Sequence, residues 1–214
     1  EIISFQKSTL GPKQSDEKKK VGLVLSGGGA RGIAHLGVIK ALEGHQVVFN
    51  QISGTSAGAI LGALYASGYK VDDILKIITD LKAFRLLQPA LSWKGFLNMD
   101  IVEKFLESYL PVDDFSSLKI PLTVTATNLR TGKSEYFHKG RLRAILCASS
   151  CIPVLFNPVT YNNEHYIDGG ILNNLPVDPI RETCDIIIAS HSNPVGNDFE
   201  ARNAKAVMER SLMM

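Results

Sequence analysis

No stretch of this 214-residue chain approaches the ~20 consecutive apolar residues that a membrane-crossing helix requires. An excess of one charge is also lacking: 23 Lys and Arg stand against 21 Asp and Glu, and no basic stripe runs through the sequence. A nucleic-acid partner is therefore not expected. Cysteine is sparse, with Cys147, Cys151 and Cys184 at spacings that suit no metal site and in a number that cannot all pair. Buried thiols in a reducing compartment fit better. Internal repeats and low-complexity segments are absent, and the N-terminus carries no apolar core of a signal peptide. The expected location is the cytoplasm or the periphery of a membrane. A start at Glu1 rather than Met is consistent with a removed upstream segment. What remains is ordinary globular composition, 45% hydrophobic and 21% charged, at a length that suits one domain with a substantial core.

Residues 1–20 read as a polar N-terminal extension broken at Gly11-Pro12 and ending in the solvated run Asp16-Glu17-Lys18-Lys19-Lys20. A globular domain is expected over 21–214. Its first element, "VGLVL" (21–25), is a short continuous apolar run of the kind buried on both faces of a parallel sheet. A helix over 33–42, apolar on most sides, should be well covered. "VVFNQIS" (47–53) predicts a second strand, and "AGAILGALYASG" (57–68) a helix of small residues that packs closely on a sheet. Asp100 and Glu103 predict an N-cap and capping box for a helix presenting Ile101, Val102, Phe105, Leu106 and Tyr109, stopped by Pro111. Strands follow at 121–129 and 134–138 around a Gly132 turn, then a helix at 141–149 and a buried strand at 185–190. Alternating strands and helices imply an α/β layered fold with a mostly parallel sheet. A helical-looking run at 199–213 has no stop signal, so the chain is expected to continue past Met214.

Two glycine-bearing segments carry the chemistry. "GTSAG" (54–58) fits G-x-S-x-G, in which a strand turns sharply into a helix and lifts the serine into the open. A strand pattern before Ser56 and a small-residue helix after it supply the context; a helix-capping serine is the plainer alternative. "GGGARG" (27–32) also joins a strand to a helix. It fits a dinucleotide fingerprint loosely, but the end of the second strand offers Asn50, Gln51 and Ser53 where an acidic residue is wanted. A P-loop would need G-K-[ST], which is missing. The third alternative is an oxyanion hole of bare backbone N–H groups at a helix start.

A nucleophilic serine needs a base. Among the five histidines, His35 sits inside the first helix, where packing is the default. His45 and His138 follow turns or strand ends, and His165 falls in a polar turn after Asn162-Asn163. His191, after a buried strand, is the one histidine placed as in an α/β-hydrolase. "YIDGG" (166–170) offers a carboxylate instead: Asp168 ends an apolar stretch, and two glycines leave it open to a neighbouring loop. An Asp-Gly turn is the plain alternative.

In order, GGGxRG at 27–32, GxSxG at 54–58 and DGG at 168–170 resemble the patatin-like phospholipase family. The resemblance extends through "AHLGVIKALE", "GTSAGAILGALYASG" and "ASSCIPVLFNPV", from about Val21 to Asn193. It implies a three-layer α/β/α fold and a lipid acyl hydrolase acting on phospholipid or lysophospholipid esters, with contact to a membrane surface and no metal or other cofactor. Ser56 would be the nucleophile and Asp168 its base, with Gly27, Gly28 and Gly29 lining the oxyanion hole. Arg31, Gly32, Gly54, Gly58, Gly169 and Gly170 would support these motifs, Arg31 either orienting the loop or meeting a lipid phosphate. Cys151 stands where relatives usually carry a small residue; a buried inert thiol and an oxidation-sensitive one are both open. In the irregular apolar segment 84–100, Trp93, Phe96 and Leu97 are expected to form an acyl channel or lid, or else to pack as core. A non-catalytic lipid-binding protein keeping the fold is the alternative from another class. Such a protein would be expected to carry a damaged dyad or loop, and both are intact here.

Overall fold

The computed structural model describes residues 2–6, 19–80, 99–153 and 155–193, with 2–6 as backbone only. Trp93, Phe96, Leu97 and the run at 199–213 lie outside the described residues. The strands are β1 (Ile2–Gln6), β2 (Val21–Leu25), β3 (Gln51–Thr55), β4 (Leu122–Asn128), β5 (Lys133–Phe137), β6 (Val159–Tyr161), β7 (Glu164–Asp168) and β8 (Ile186–Ser190). Among the described residues five α-helices accompany them: α1 (Ala34–Gly44), α2 (Ala57–Ser67), α3 (Val71–Thr79), α4 (Asp100–Tyr109) and α5 (Leu142–Ser149).

The eight described strands form one sheet in the order β1-β8-β2-β3-β4-β7-β6, with β5 also on β4. The sheet is mixed. Its centre, β8-β2-β3-β4, is parallel, and β1, β5, β6 and β7 join by antiparallel pairing. Within the parallel centre β2 and β8 are continuous apolar runs, as strands covered on both faces tend to be, whereas β3 and β4 bury Ser53, Thr55, Thr123, Thr125 and Thr127 among their apolar residues. Leu23 and Leu25 of β2 join a large core with Ile52, Leu122, Val124 and the buried faces of all five helices. Val24, pointing the opposite way, packs with Ile180, Cys184, Ile187 and Ala189. Among the described residues, the α-helices thus cover one face, and the segment 169–184 with its short 3-10 turns covers the other. No described helix is long and apolar enough to cross a membrane.

The pairing of β4 explains the position of the site. Val124 to Asn128 pair with β5 along one edge. The other edge is shared: Thr55, the last residue of β3, lies opposite Thr125, and Asp168, the last residue of β7, lies opposite Ala126. Two strands running in opposite directions therefore end at neighbouring residues of a third. The chain leaving β3 meets the chain leaving β7.

Several sequence expectations need correction. Ile2–Gln6, inside the expected polar extension, is an edge strand antiparallel to β8. The second strand begins at Gln51, not Val47: Val48 is exposed, Phe49 turns into the core, and the Asn50 side chain accepts the Val21 N–H. The first helix is covered on one face only, burying His35, Leu36 and Ile39 while Gly37, Lys40 and Ala41 face solvent. Asp100 is not an N-cap. Met99 holds that position because its side chain belongs to the core, and Glu103 reaches Arg141 instead at 3.3 Å. His165 lies within β7, since Asn162 and Asn163 take the positive-φ turn of the β6–β7 hairpin.

Helix α2 enters against the end of β2 with no room to spare. A Cβ on Gly58 would overlap the Leu25 carbonyl and lie 2.5 Å from that of Ser26. Gly58→Ala is therefore expected to cost about 2 kcal/mol of stability through forced backbone displacement. Urea denaturation of both proteins checks this.

Candidate active site

Ser56 occupies the one-residue junction between β3 and α2. Its backbone, at φ 52° and ψ −122°, is a conformation that non-glycine residues avoid. The strain lifts the side chain out of the strand while the helix starts immediately behind it. Two flanking interactions hold this turn. The Ser56 N–H donates to Ser149 Oγ at 2.8 Å, and the Thr55 hydroxyl donates to the Asn173 carbonyl at 2.9 Å.

The Ser56 hydroxyl donates to Asp168 Oδ2 at 2.8 Å, within the reach of direct proton transfer. Asp168 is fixed on every side. Its Oδ1 accepts the Gly170 N–H at 2.7 Å, its N–H donates to the Cys151 carbonyl at 2.8 Å, and its carbonyl accepts the Thr127 hydroxyl at 3.0 Å. Gly169 is needed for this approach, because a Cβ there would overlap the Thr125 carbonyl. Burial pushes the Asp168 carboxyl up to about 6, while the Gly170 and Ser56 hydrogen bonds pull the other way. Near neutral pH the group is thus ionised yet basic enough to accept a proton.

The glycine loop lies against this pair. The Gly27 α-carbon faces Ser56, since a Cβ on it would stand 3.4 Å from Ser56 Cβ. The Gly27 N–H, however, donates to the Asn174 carbonyl at 3.1 Å. Gly27 is therefore a correction to the expected donor set: its N–H is already spent in holding the loop. The N–H groups of Gly28 and Gly29 meet no acceptor among the described residues. Gly29 has φ +54°, and Gly32 packs its α-carbon close to Ala57. Gly54 is buried at the end of β3, Gly170 donates to Asp168, and Arg31 is exposed on the 3-10 turn Gly29–Ile33.

The histidines do other work. His35 is buried, with Nε2 2.9 Å from the Ser26 carbonyl and Nδ1 2.8 Å from Ser190 Oγ, and desolvation lowers its pKa. It ties α1 to the ends of β2 and β8. His45, His138 and His165 are exposed, and the hydroxyl of Ser56 goes to Asp168 rather than to His191. Cys151 is buried, donates its thiol to the Asn157 carbonyl at 3.0 Å, and has its pKa pushed up to about 11 by burial, the profile of an inert thiol. Among the described residues no cluster of His, Cys, Asp and Glu could hold a metal ion.

A cavity of about 260 Å³ opens beside Ser56. Gly29 and Ala30 of the loop form one wall; Ile60, Met99, Phe105 and Phe156 make the rest strongly apolar. Sequence patterns gave no sign of Ser149, Thr127, Asn173 or Asn174 as parts of the site. Each acts across a long chain separation, as with the 93 residues between Ser56 and Ser149.

Known proteins resemble this chain in sequence and in fold. The family model described as patatin-like phospholipase matches residues 23–181. An uncharacterized NTE family protein of Mycobacterium bovis is 37% identical over 180 residues, covering 81% of this chain and 49% of that protein. Lysophospholipase NTE1 of Meyerozyma guilliermondii is 33% identical over 178 residues, covering 76% of this chain and 12% of that protein. The chain thus spans about half the length of the first and a small part of the second. Among solved structures, VipD from Legionella pneumophila shares the fold at a TM-score of 0.52 and 19% identity, over 76% of this chain and 47% of that one.

Burying an ionised carboxylate costs stability. Because the folded-state pKa of Asp168 lies above its unfolded value, its contribution is favourable at low pH and is lost as pH rises through about 6. Asp168→Asn should therefore melt higher than wild type at pH 8, by about 5 °C, with the gap closing below pH 4. Thermal melts across pH measure it.

Proposed function

Because the chain belongs to the patatin-like phospholipase family, we propose that it is a serine-dependent lipid acyl hydrolase cleaving acyl esters of phospholipids or lysophospholipids. The observation that carries this is the 2.8 Å Ser56–Asp168 hydrogen bond at the mouth of an apolar cavity. A hydroxyl held by a buried base provides a nucleophile, and an apolar slot beside it suits one acyl chain. At about 260 Å³ the slot is smaller than the ~300–1,000 Å³ typical of pockets for drug-sized ligands.

In the first half-reaction Ser56 Oγ attacks the ester carbonyl while its proton passes to Asp168 Oδ2. The carbonyl oxygen becomes an oxyanion facing the Gly28 and Gly29 N–H groups, donors already in place before charge develops. As the tetrahedral species collapses, the ester C–O bond breaks and Asp168 returns the proton to the departing alkoxide. Water then attacks the acyl-Ser56 ester, its proton going to Asp168. Collapse releases the fatty acid and restores the serine hydroxyl. The acyl chain reaches the cavity from an aggregate or bilayer, so contact with a lipid surface is part of the cycle.

Hydrolysis of p-nitrophenyl esters and of a labelled phospholipid tests this reading. Ser56→Ala and Asp168→Asn should each lower kcat by about a thousandfold or more while remaining folded. A folded wild type silent on every ester would instead favour the non-catalytic lipid-binding class. With Asp168 as base, kcat/KM should rise with pH through about 6 and then level off. A profile flat from pH 4 to 8 would contradict the assignment. Ile60→Phe, which fills the cavity, should shift preference toward short acyl chains by about tenfold in kcat/KM. A series of chain lengths reads this out.

A further inference from the structure

The Gly27 carbonyl is held with unusual completeness. It accepts the Ser26 hydroxyl at 2.9 Å, the Ser192 hydroxyl at 3.1 Å and Asn193 Nδ2 at 3.2 Å. With the Gly27 N–H on the Asn174 carbonyl, both polar groups of this residue are fixed. Asn193 Nδ2 also reaches Asn174 Oδ1 at 3.4 Å, and the Ser192 N–H donates to Ser26 Oγ at 3.0 Å. Asn193 is buried, and its Oδ1 has no hydrogen-bond partner among the described residues. That oxygen and Ser192 Oγ fill the space where a Gly28 Cβ would stand.

The peptide unit is planar and trans, so the carbonyl of Gly27 and the N–H of Gly28 point in opposite directions. Three donors on the Gly27 oxygen therefore set the direction of the Gly28 N–H. We propose that Ser192 and Asn193, on the segment after β8, are positioning residues that clamp the Gly27–Gly28 peptide and preset the Gly28 N–H as an oxyanion donor. The inference rests on the hydrolase reading above and extends it to residues beyond 181, the end of the family match. The clamp acts on charge that exists only in the transition state, so its removal lowers turnover and leaves substrate binding alone.

The test compares wild type with Asn193→Ala and Ser192→Ala on one p-nitrophenyl ester, together with the affinity for an alkyl trifluoromethyl ketone. That ketone adds Ser56 to give a stable oxyanion. The expected result is a fall in kcat of about tenfold for Asn193→Ala, with KM within twofold and ketone affinity weakened by the same factor as kcat. A smaller fall of the same kind is expected for Ser192→Ala. Folded variants with unchanged kcat and ketone affinity overturn the clamp while leaving the dyad standing. A change in KM alone also overturns it. If Asn193→Ala does not fold, Ser192→Ala carries the same comparison. A folded wild type without Ser56-dependent hydrolysis removes the hydrolase reading, and the clamp with it.

Discussion

A carboxylate buried against a hydroxyl is the interaction on which the rest of this structure depends. Taking Asp168 out of water is costly, and its contacts with Ser56 Oγ and the Gly170 N–H offset part of that cost. The same burial pushes the carboxyl up to about 6, the property that the proposed base role uses. In the proposed reaction stability is exchanged for reactivity at this one residue, and the surrounding fold must be rigid enough to bear it.

The sheet supplies that rigidity by convergence. β3 and β7 end at adjacent positions on one edge of β4, so Ser56 and Asp168, distant in sequence, are brought together by strand pairing rather than by loops. Strain at Ser56 is held by Ser149, on α5, and the carbonyl of Asp168 by Thr127, on β4. The helix beginning right after Ser56 and the 3-10 turn after Gly28 each start beside the serine, and in the proposed reaction their first backbone N–H groups would meet the developing negative charge. Each of these devices is local, but all are registered to the same strand edge.

The parts of this design that rest on local chemistry were legible in the sequence. Gly54, Gly58 and Gly169 are demanded by close backbone approach, Gly28 by the side chains of Ser192 and Asn193, and Gly29 by its positive φ, and such demands leave a mark on consecutive residues. Two of the parallel central strands, β2 and β8, were legible as apolar runs, and Pro111 marked a helix end. Residues whose role comes from tertiary contact left no such mark. Ser192 reaches Gly27 across 165 residues, and nothing in its neighbours announces that. Asp100 looked like a cap because composition favours acids there, but packing gave the cap position to Met99. Gly27 looked like a donor because the motif treats the three glycines alike, whereas Asn174 takes its N–H. Ile2–Gln6 had too short a pattern to declare itself a strand without β8 beside it.

The most direct test of the central claim is covalent trapping of the nucleophile. The protein would be treated with an alkyl fluorophosphonate at pH 8 and its peptides analysed by mass spectrometry. One adduct is expected, on the peptide carrying Ser56, formed far more slowly in Asp168→Asn. An adduct on a different residue, or equal labelling of Ser56 with and without the Asp168 carboxylate, would contradict it.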